Sequence, residues 1–237
     1  MFPIARITVP LALLAACVAL AASAADRRET RPVSGFSGIG LSAPIKVELT
    51  QGDADSLVLE GAPEALDDLE TVVENGSLKI RTKSWSTVTG MGKVRAYITA
   101  RNIETLAISG SGDINAPALR TAKLRVAISG SGDVHIGELN ASSLEVSVSG
   151  SGDVTVAGKA DEVSTSIAGS GDVRAGKLES RQSKVSIAGS GDATLWAKES
   201  LSVSIVGSGD VRYYGDPSIK KAVVGSGSVR RAGATPS

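Results

Sequence analysis

Cysteine, aromatic side chains and net charge are all scarce in this 237-residue chain. A single cysteine, Cys17, excludes a disulfide framework and a paired-cysteine zinc site. Two Trp, three Tyr and two Phe exclude an aromatic-rich core, so packing falls to Val, Ile, Leu and Ala. The 25 Lys and Arg balance 25 Asp and Glu, which removes any overall field that would draw the chain to nucleic acid or an acidic membrane surface. The one histidine, His135, sits between Val134 and Ile136, where strand alternation turns it outward as a solvated side chain. With no cysteine left in the mature chain Cys-based catalysis has no candidate, and a Ser-His-Asp set could use only His135, which is flanked by repeat residues. Against these scarcities stand 27 Gly and a hydrophobic content of 42%, enough for a sizeable buried core.

Residues 1–25 read as a signal peptide. Arg6 precedes an apolar run from Ile7 to Leu20 that is too short for a transmembrane helix, and Ala22-Ser23-Ala24-Ala25 offers a small-residue cleavage site. Cleavage there leaves a mature chain with no cysteine and no membrane-spanning segment. An alternative cut exists, because Leu14-Ala15-Ala16-Cys17 resembles a lipoprotein lipobox, in which Cys17 becomes the lipidated first residue. The two outcomes separate a protein free in the periplasm or secreted from one anchored to a membrane.

The rest of the chain is dominated by self-similarity. Gly-Ser-Gly-Asp begins at Gly110, Gly130, Gly150, Gly169, Gly189 and Gly207, with a Gly-Ser-Gly-Ser variant at Gly225, at spacings of 20, 20, 19, 20, 18 and 18. A period near twenty over seven copies marks a stacked architecture in which each unit buries its apolar face against its neighbours. Two residues before each first Gly stand Ile108, Ile128, Val148, Ile167, Ile187, Ile205 and Val223, all β-branched, as strands favour. Four before stand Leu106, Val126, Val146, Thr165, Val185, Val203 and Lys221, and four after stand Ile114, Val134, Val154, Val173, Ala193, Val211 and Val229. The period within each copy is therefore two, with Ser and charged residues between. These features predict an all-β, single-stranded, right-handed parallel β-helix of about 20 residues per coil, with three short strands and three corners per coil. Seven coils at the inter-strand spacing extend roughly 30 Å.

The corner motif comprises Gly110, Gly112, Asp113, Gly130, Gly132, Asp133, Gly150, Gly152, Asp153, Gly169, Gly171, Asp172, Gly189, Gly191, Asp192, Gly207, Gly209 and Asp210. It reads as a structural turn, Gly taking positive φ and Asp bonding nearby amides. Carboxylates stacked about 4.8 Å apart repel by roughly 0.9 kcal/mol per adjacent pair in water. Backbone amides, neighbouring Ser hydroxyls or a cation must offset that repulsion. No catalytic, cofactor-binding or metal residue is assigned.

Residues 33–100 carry the same strand chemistry less regularly, at Phe36–Leu41, Ile45–Leu49, Leu57–Glu60, Leu78–Arg81 and Val94–Thr99. Asn75-Gly76 predicts a hairpin turn, Pro63–Leu69 a short helix, and Thr82–Gly92 a loop. Residues 26–32 are expected as a lead-in, 33–232 as one domain with regular coils from about 101 and irregular N-terminal coils capping the stack, and 233–237 as a flexible tail. Trp196, Tyr213 and Tyr214 have two readings: filling a wide coil or its open end, or a stacking platform. Lys220, Lys221, Arg230 and Arg231 read as a charged guard against end-to-end strand pairing.

Val33-Ser34-Gly35-Phe36, Val47-Glu48-Leu49, Glu74-Asn75-Gly76-Ser77-Leu78-Lys79-Ile80 and the repeated Gly-Ser-Gly-Asp together resemble the bacterial auto-transporter adhesin head GIN domain family, DUF2807, over nearly the whole mature chain. The resemblance implies an exported β-helix of the cell envelope and carries over no catalytic residue. The short stretch after residue 230 leaves no room for an auto-transporter's membrane barrel, so a complete auto-transporter is not expected. The leading functional expectation is a non-catalytic binding or adhesion module that meets an envelope glycan or envelope protein through a repetitive lateral face. Two alternatives remain: an envelope scaffold whose Asp ladder takes cations, and a polysaccharide-processing enzyme. Against the enzyme, the Asp column repeats without one distinct acid–base pair.

Overall fold

The computed structural model describes residues 26–83 and 90–236. The expected signal peptide, Cys17 and the Trp85 portion of the predicted loop lie outside the described residues.

The β-branched columns produce a β-solenoid. Its regular part is built from β8 (Thr105–Gly110), β9 (Asp113–Gly130), β10 (Val134–Gly150), β11 (Val154–Gly169), β12 (Val173–Gly189) and β13 (Ala193–Gly207), each in parallel register with the next. Val134 stands opposite Ile114 and Val154, and Gly150 opposite Gly130 and Gly169, so one coil advances the chain by one repeat. The strands run 15 to 18 residues from β9 to β13 rather than dividing into the three short strands expected. The coil still turns: in β10 Val134 and Ile136 point inward, Gly137 and Glu138 are both exposed, and alternation resumes at Leu139 and again at Leu144. Inter-coil pairing carries through those bends, with register shifts at the first bend from β10 onward, and it continues across the Gly-Ser-Gly-Asp corner, where Ser151 and Gly152 N–H reach Gly130 O.

The inward columns form one dry aliphatic core. Ile128, Val146, Val148, Ile167, Val185, Ile187, Val203 and Ile205 are all at most 2% exposed. At roughly 1.5–3 kcal/mol per fully buried aliphatic side chain, these columns dominate the favourable side of folding.

The N-terminal third closes one end in an order that its sequence does not follow. β2 (Gly38–Ser42) lies between β6 (Ser77–Thr82) and β8, and β3 (Lys46–Gln51) between β7 (Arg95–Ala100) and β9, all parallel. An early segment is thus inserted between two later ones. Beyond it the pairing turns antiparallel: β5 (Leu69–Glu74) on β6, β4 (Ser56–Gly61) on β7, and β1 (Arg27–Arg31) on β4. The stretch read as a lead-in is therefore an edge strand. Asn75 and Gly76 take φ of 52 and 72 and turn β5 into β6. Helix α1 (Pro63–Asp67) buries Ala65 and Leu66, and Arg31 donates to the carbonyl oxygens of Leu66 and Leu69 at 2.7 Å each, tying β1 to the helix end.

The opposite end stays open. β14 (Asp210–Tyr214) and β15 (Ser218–Gly225) pair with β13, and β16 (Ser228–Gly233) with β14. Every residue of β15 is exposed, and Val206, Ile219, Val223 and Val224 are the exposed large hydrophobics among the described residues. Tyr213, opposite Leu195, turns inward against the core.

Candidate functional site

At the Gly-Ser-Gly-Asp corner two coils approach so closely that a side chain is excluded. Gly150 has φ of 129, and a Cβ on it would run into the carbonyl oxygen of Gly130. A Cβ on Gly152 would run into the carbonyl of Gly132 and stand 2.8 Å from Ile128 Cγ2. In exchange the backbone is saturated: Ser151 and Gly152 both donate to Gly130 O, at 2.9 and 3.1 Å.

The aspartates do stack, and their repulsion is met within the protein. Asp153 N–H donates to Asp133 Oδ1, Asp172 N–H to Asp153 Oδ1, Asp192 N–H to Asp172 Oδ1 and Asp210 N–H to Asp192 Oδ1, at 2.8–3.0 Å. Asp133 N–H reaches Asp113 Oδ1 at 3.4 Å. Arg174 spans the middle of the row, at 2.7 Å from Asp153 Oδ2 and 2.9 Å from Asp172 Oδ2, and those hydrogen bonds hold its guanidinium above its ordinary pKa. At the far end Ser228 replaces Asp and donates both its N–H and its hydroxyl to Asp210 Oδ1. The hydroxyl contact is the main cause of an Asp210 pKa below its ordinary value. Among the described residues no group of three or more His, Cys, Asp or Glu is arranged to hold a metal ion. The eighteen motif residues thus come together as one corner ladder, while His135 stands exposed beside Asn115 and Thr155.

A different part of the coil offers a recess. A cleft of about 750 Å³ runs along a corner on the lateral face, and its charged residues are Arg120, Lys159, Arg181 and Lys198 against Asp161, Glu179 and Glu199. Charges of opposite sign pair between coils: Arg181 Nε lies 2.8 Å from Glu199 Oε1, and Lys198 Nζ 3.2 Å from Glu179 Oε1. The Arg181 hydrogen bond holds the Glu199 carboxyl below its ordinary pKa. Four cations facing three anions make the cleft polar yet nearly neutral. Beside it lies a second recess of about 480 Å³ over the small residues Ser143, Ser164, Ser200 and Ser202, while Ser183 in the same stretch is buried with its hydroxyl 2.8 Å from that of Ser180. Sequence reading identified the repetitive face but not this cleft. Its legible trace is charge of opposite sign one coil apart, Arg181 with Glu199 and Glu179 with Lys198.

The aromatic residues divide between the two readings. Tyr213 fills the open end of the core, whereas Trp196 and Tyr214 lie opposite each other on the outer surface, both half-buried.

Residues 35–217 match the family model described as "Putative auto-transporter adhesin, head GIN domain" (DUF2807). Among solved structures, a "putative adhesin" from Bacteroides fragilis is 25% identical with a TM-score of 0.84, the match covering 87% of this chain and 96% of that one. A "putative lipid binding protein" from Parabacteroides distasonis is 25% identical with a TM-score of 0.73, over 89% and 98% of the two chains. A "putative adhesin" from Parabacteroides merdae, at 20% identity and a TM-score of 0.71 over 89% and 97%, shares the fold. No curated protein matches the chain.

Proposed function

The chain belongs to the auto-transporter adhesin head GIN domain family, and from that premise we propose that it is a non-catalytic exported protein of the cell envelope that binds an envelope glycan or envelope protein through its lateral face. The observation that carries this reading is the cleft at Arg181, Glu199, Glu179 and Lys198, where in-register coils align paired charges beside rows of small hydroxyl side chains. A surface repeated every coil favours a repetitive or extended ligand, because many weak contacts sum along it. The chain's balanced charge suits such a ligand better than a polyanion. The Asp ladder acts in this reading as the corner's internal fastening, since amides and Arg174 already engage its carboxylates.

The test is retention of the mature protein on envelope fractions and across a glycan panel. Retention is expected, and Arg181→Glu, which sets a like charge beside Glu199, reduces it at least tenfold with the strand circular dichroism unchanged. A protein that nothing retains, or an R181E variant retained like the wild type, would refute the lateral-face reading.

A further inference from the structure

Two of the few aromatic side chains occupy places where this solenoid otherwise puts small or polar residues. Leu195, Ala197 and Tyr213 point inward, so Trp196 and Tyr214, the next residues after Leu195 and Tyr213, point outward. The residues that follow the inward Ala116, Ile136, Val156 and Ala175 in the four preceding coils are Pro117, Gly137, Ala157 and Gly176. The register shifts at this bend, placing Lys177 opposite Ala157 and Glu179 opposite Trp196, and the two coils that follow each carry an aromatic ring, Trp196 opposite Tyr214, about 4.8 Å apart along the solenoid axis.

The rings have neighbours that show how they lie. Tyr214 Cε2 is 3.3 Å from the place where a Cβ on Gly176 would stand, two coils away, and Tyr214 Cδ1 is 3.6 Å from the corresponding place on Gly233. A ring that reaches from Gly233 to Gly176 lies along the surface instead of standing off it. Trp196 Cδ1 is 3.6 Å from the Cβ position of Gly215. A side chain on Gly176 would press on the Tyr214 ring, and the Gly233 and Gly215 positions lie at contact distance from the rings, so both aromatics lie close along the backbone and are half-buried.

We propose that Trp196 and Tyr214 are a stacking platform for an extended, neutral or zwitterionic oligosaccharide, the polar edges of which reach the charged cleft. This rests on the lateral-face reading and names its ligand class. A pyranose ring with all substituents equatorial presents a flat face of C–H groups, which packs on an aromatic ring, and a rim of hydroxyls, which needs paired donors and acceptors. Both halves are adjacent here: Glu179 is the register partner of Trp196, lines the cleft and accepts from Lys198 at 3.2 Å. The near balance of charge in the cleft fits sugar hydroxyls and amides better than anionic lipid headgroups.

The experiment uses the Trp85→Phe protein, in which Trp196 is the one remaining tryptophan. Its emission is titrated with chitohexaose and cellohexaose, and with phosphatidylglycerol vesicles as the comparison. A saturable change with at least one oligosaccharide is expected, with at least tenfold weaker binding in Tyr214→Ala, near-wild-type binding in Tyr214→Phe, and unchanged melting temperatures. Emission that ignores both oligosaccharides, while the protein is still retained on envelope material and R181E releases it, overturns the platform and leaves the lateral-face reading standing. Emission that ignores them when nothing retains the protein removes both. A response to vesicles alone overturns the saccharide assignment.

Discussion

The backbone N–H of Asp153 donates to Asp133 Oδ1 at 2.9 Å, so a carboxylate in one coil fastens the main chain of the next. The same bond recurs at Asp172, Asp192 and Asp210, which turns a column of like charges into a ladder of charge-assisted hydrogen bonds. Asp153→Ala removes the acceptor for Asp172 N–H and one partner of Arg174, and is expected to cost about 1.5–3 kcal/mol. Asp153→Asn keeps an oxygen for the amide and should cost less. Urea denaturation of the two variants checks the order.

Gly152→Ala and Gly35→Ala separate two reasons for glycine. Gly35 has φ of 72 with nothing within 4 Å of an added Cβ, so alanine there pays only for the left-handed conformation, about 1–2 kcal/mol. A Cβ on Gly152 strikes the backbone of the preceding coil, which must separate. Gly152→Ala is expected to cost well over twice as much as Gly35→Ala, or to prevent folding, measured by thermal unfolding and soluble yield.

Thr165 is 2% exposed, and its hydroxyl has no hydrogen-bond partner, where the same column carries Val146 and Val185 on either side. An unsatisfied buried hydroxyl costs about 1–3 kcal/mol, and Val has nearly the same shape. Thr165→Val should therefore stabilise the protein by about 1 kcal/mol, read as a higher urea midpoint with an unchanged slope.

Asp210 links stability to acid. Its folded pKa lies below the ordinary 3.8, so its contribution is present above the ordinary aspartate range and is lost as pH falls through the lower, folded value. Ser228→Ala deletes the hydroxyl donor that is the main cause. The Asp210 pKa, followed by carboxyl NMR, should then rise toward the ordinary value, and the variant should be less stable than the wild type above the ordinary aspartate range and lose less of its stability as pH falls below it.

Lys220 and Lys221 lie on β15, the exposed edge at the open end, and Lys221 follows Val203 in an otherwise mostly β-branched column. Charged side chains on such an edge oppose pairing with another chain. The double variant Lys220→Val, Lys221→Val joins Ile219, Val223 and Val224 into one apolar edge strand, and concentration-dependent association is expected in light scattering.

What could be read from the amino acids was whatever repeats locally. The period of two around Ile128, Val148 and Ile167, the glycines at each corner, and the Asn75-Gly76 turn are legible because alternation, positive φ and steric exclusion act on residues close in the chain. They were enough for a β-solenoid of about twenty residues per coil. The insertion of β2 and β3 between later strands was not legible, because parallel pairing is satisfied by any strand of matching pattern and chain order does not select it. The fastening of each Asp to the next coil, the pairing of Arg181 with Glu199, and the laying down of Tyr214 toward Gly176 are likewise contacts across 18 to 38 residues. Only winding brings such groups within hydrogen-bond or van der Waals range, so the chemistry of the lateral face is a product of tertiary register.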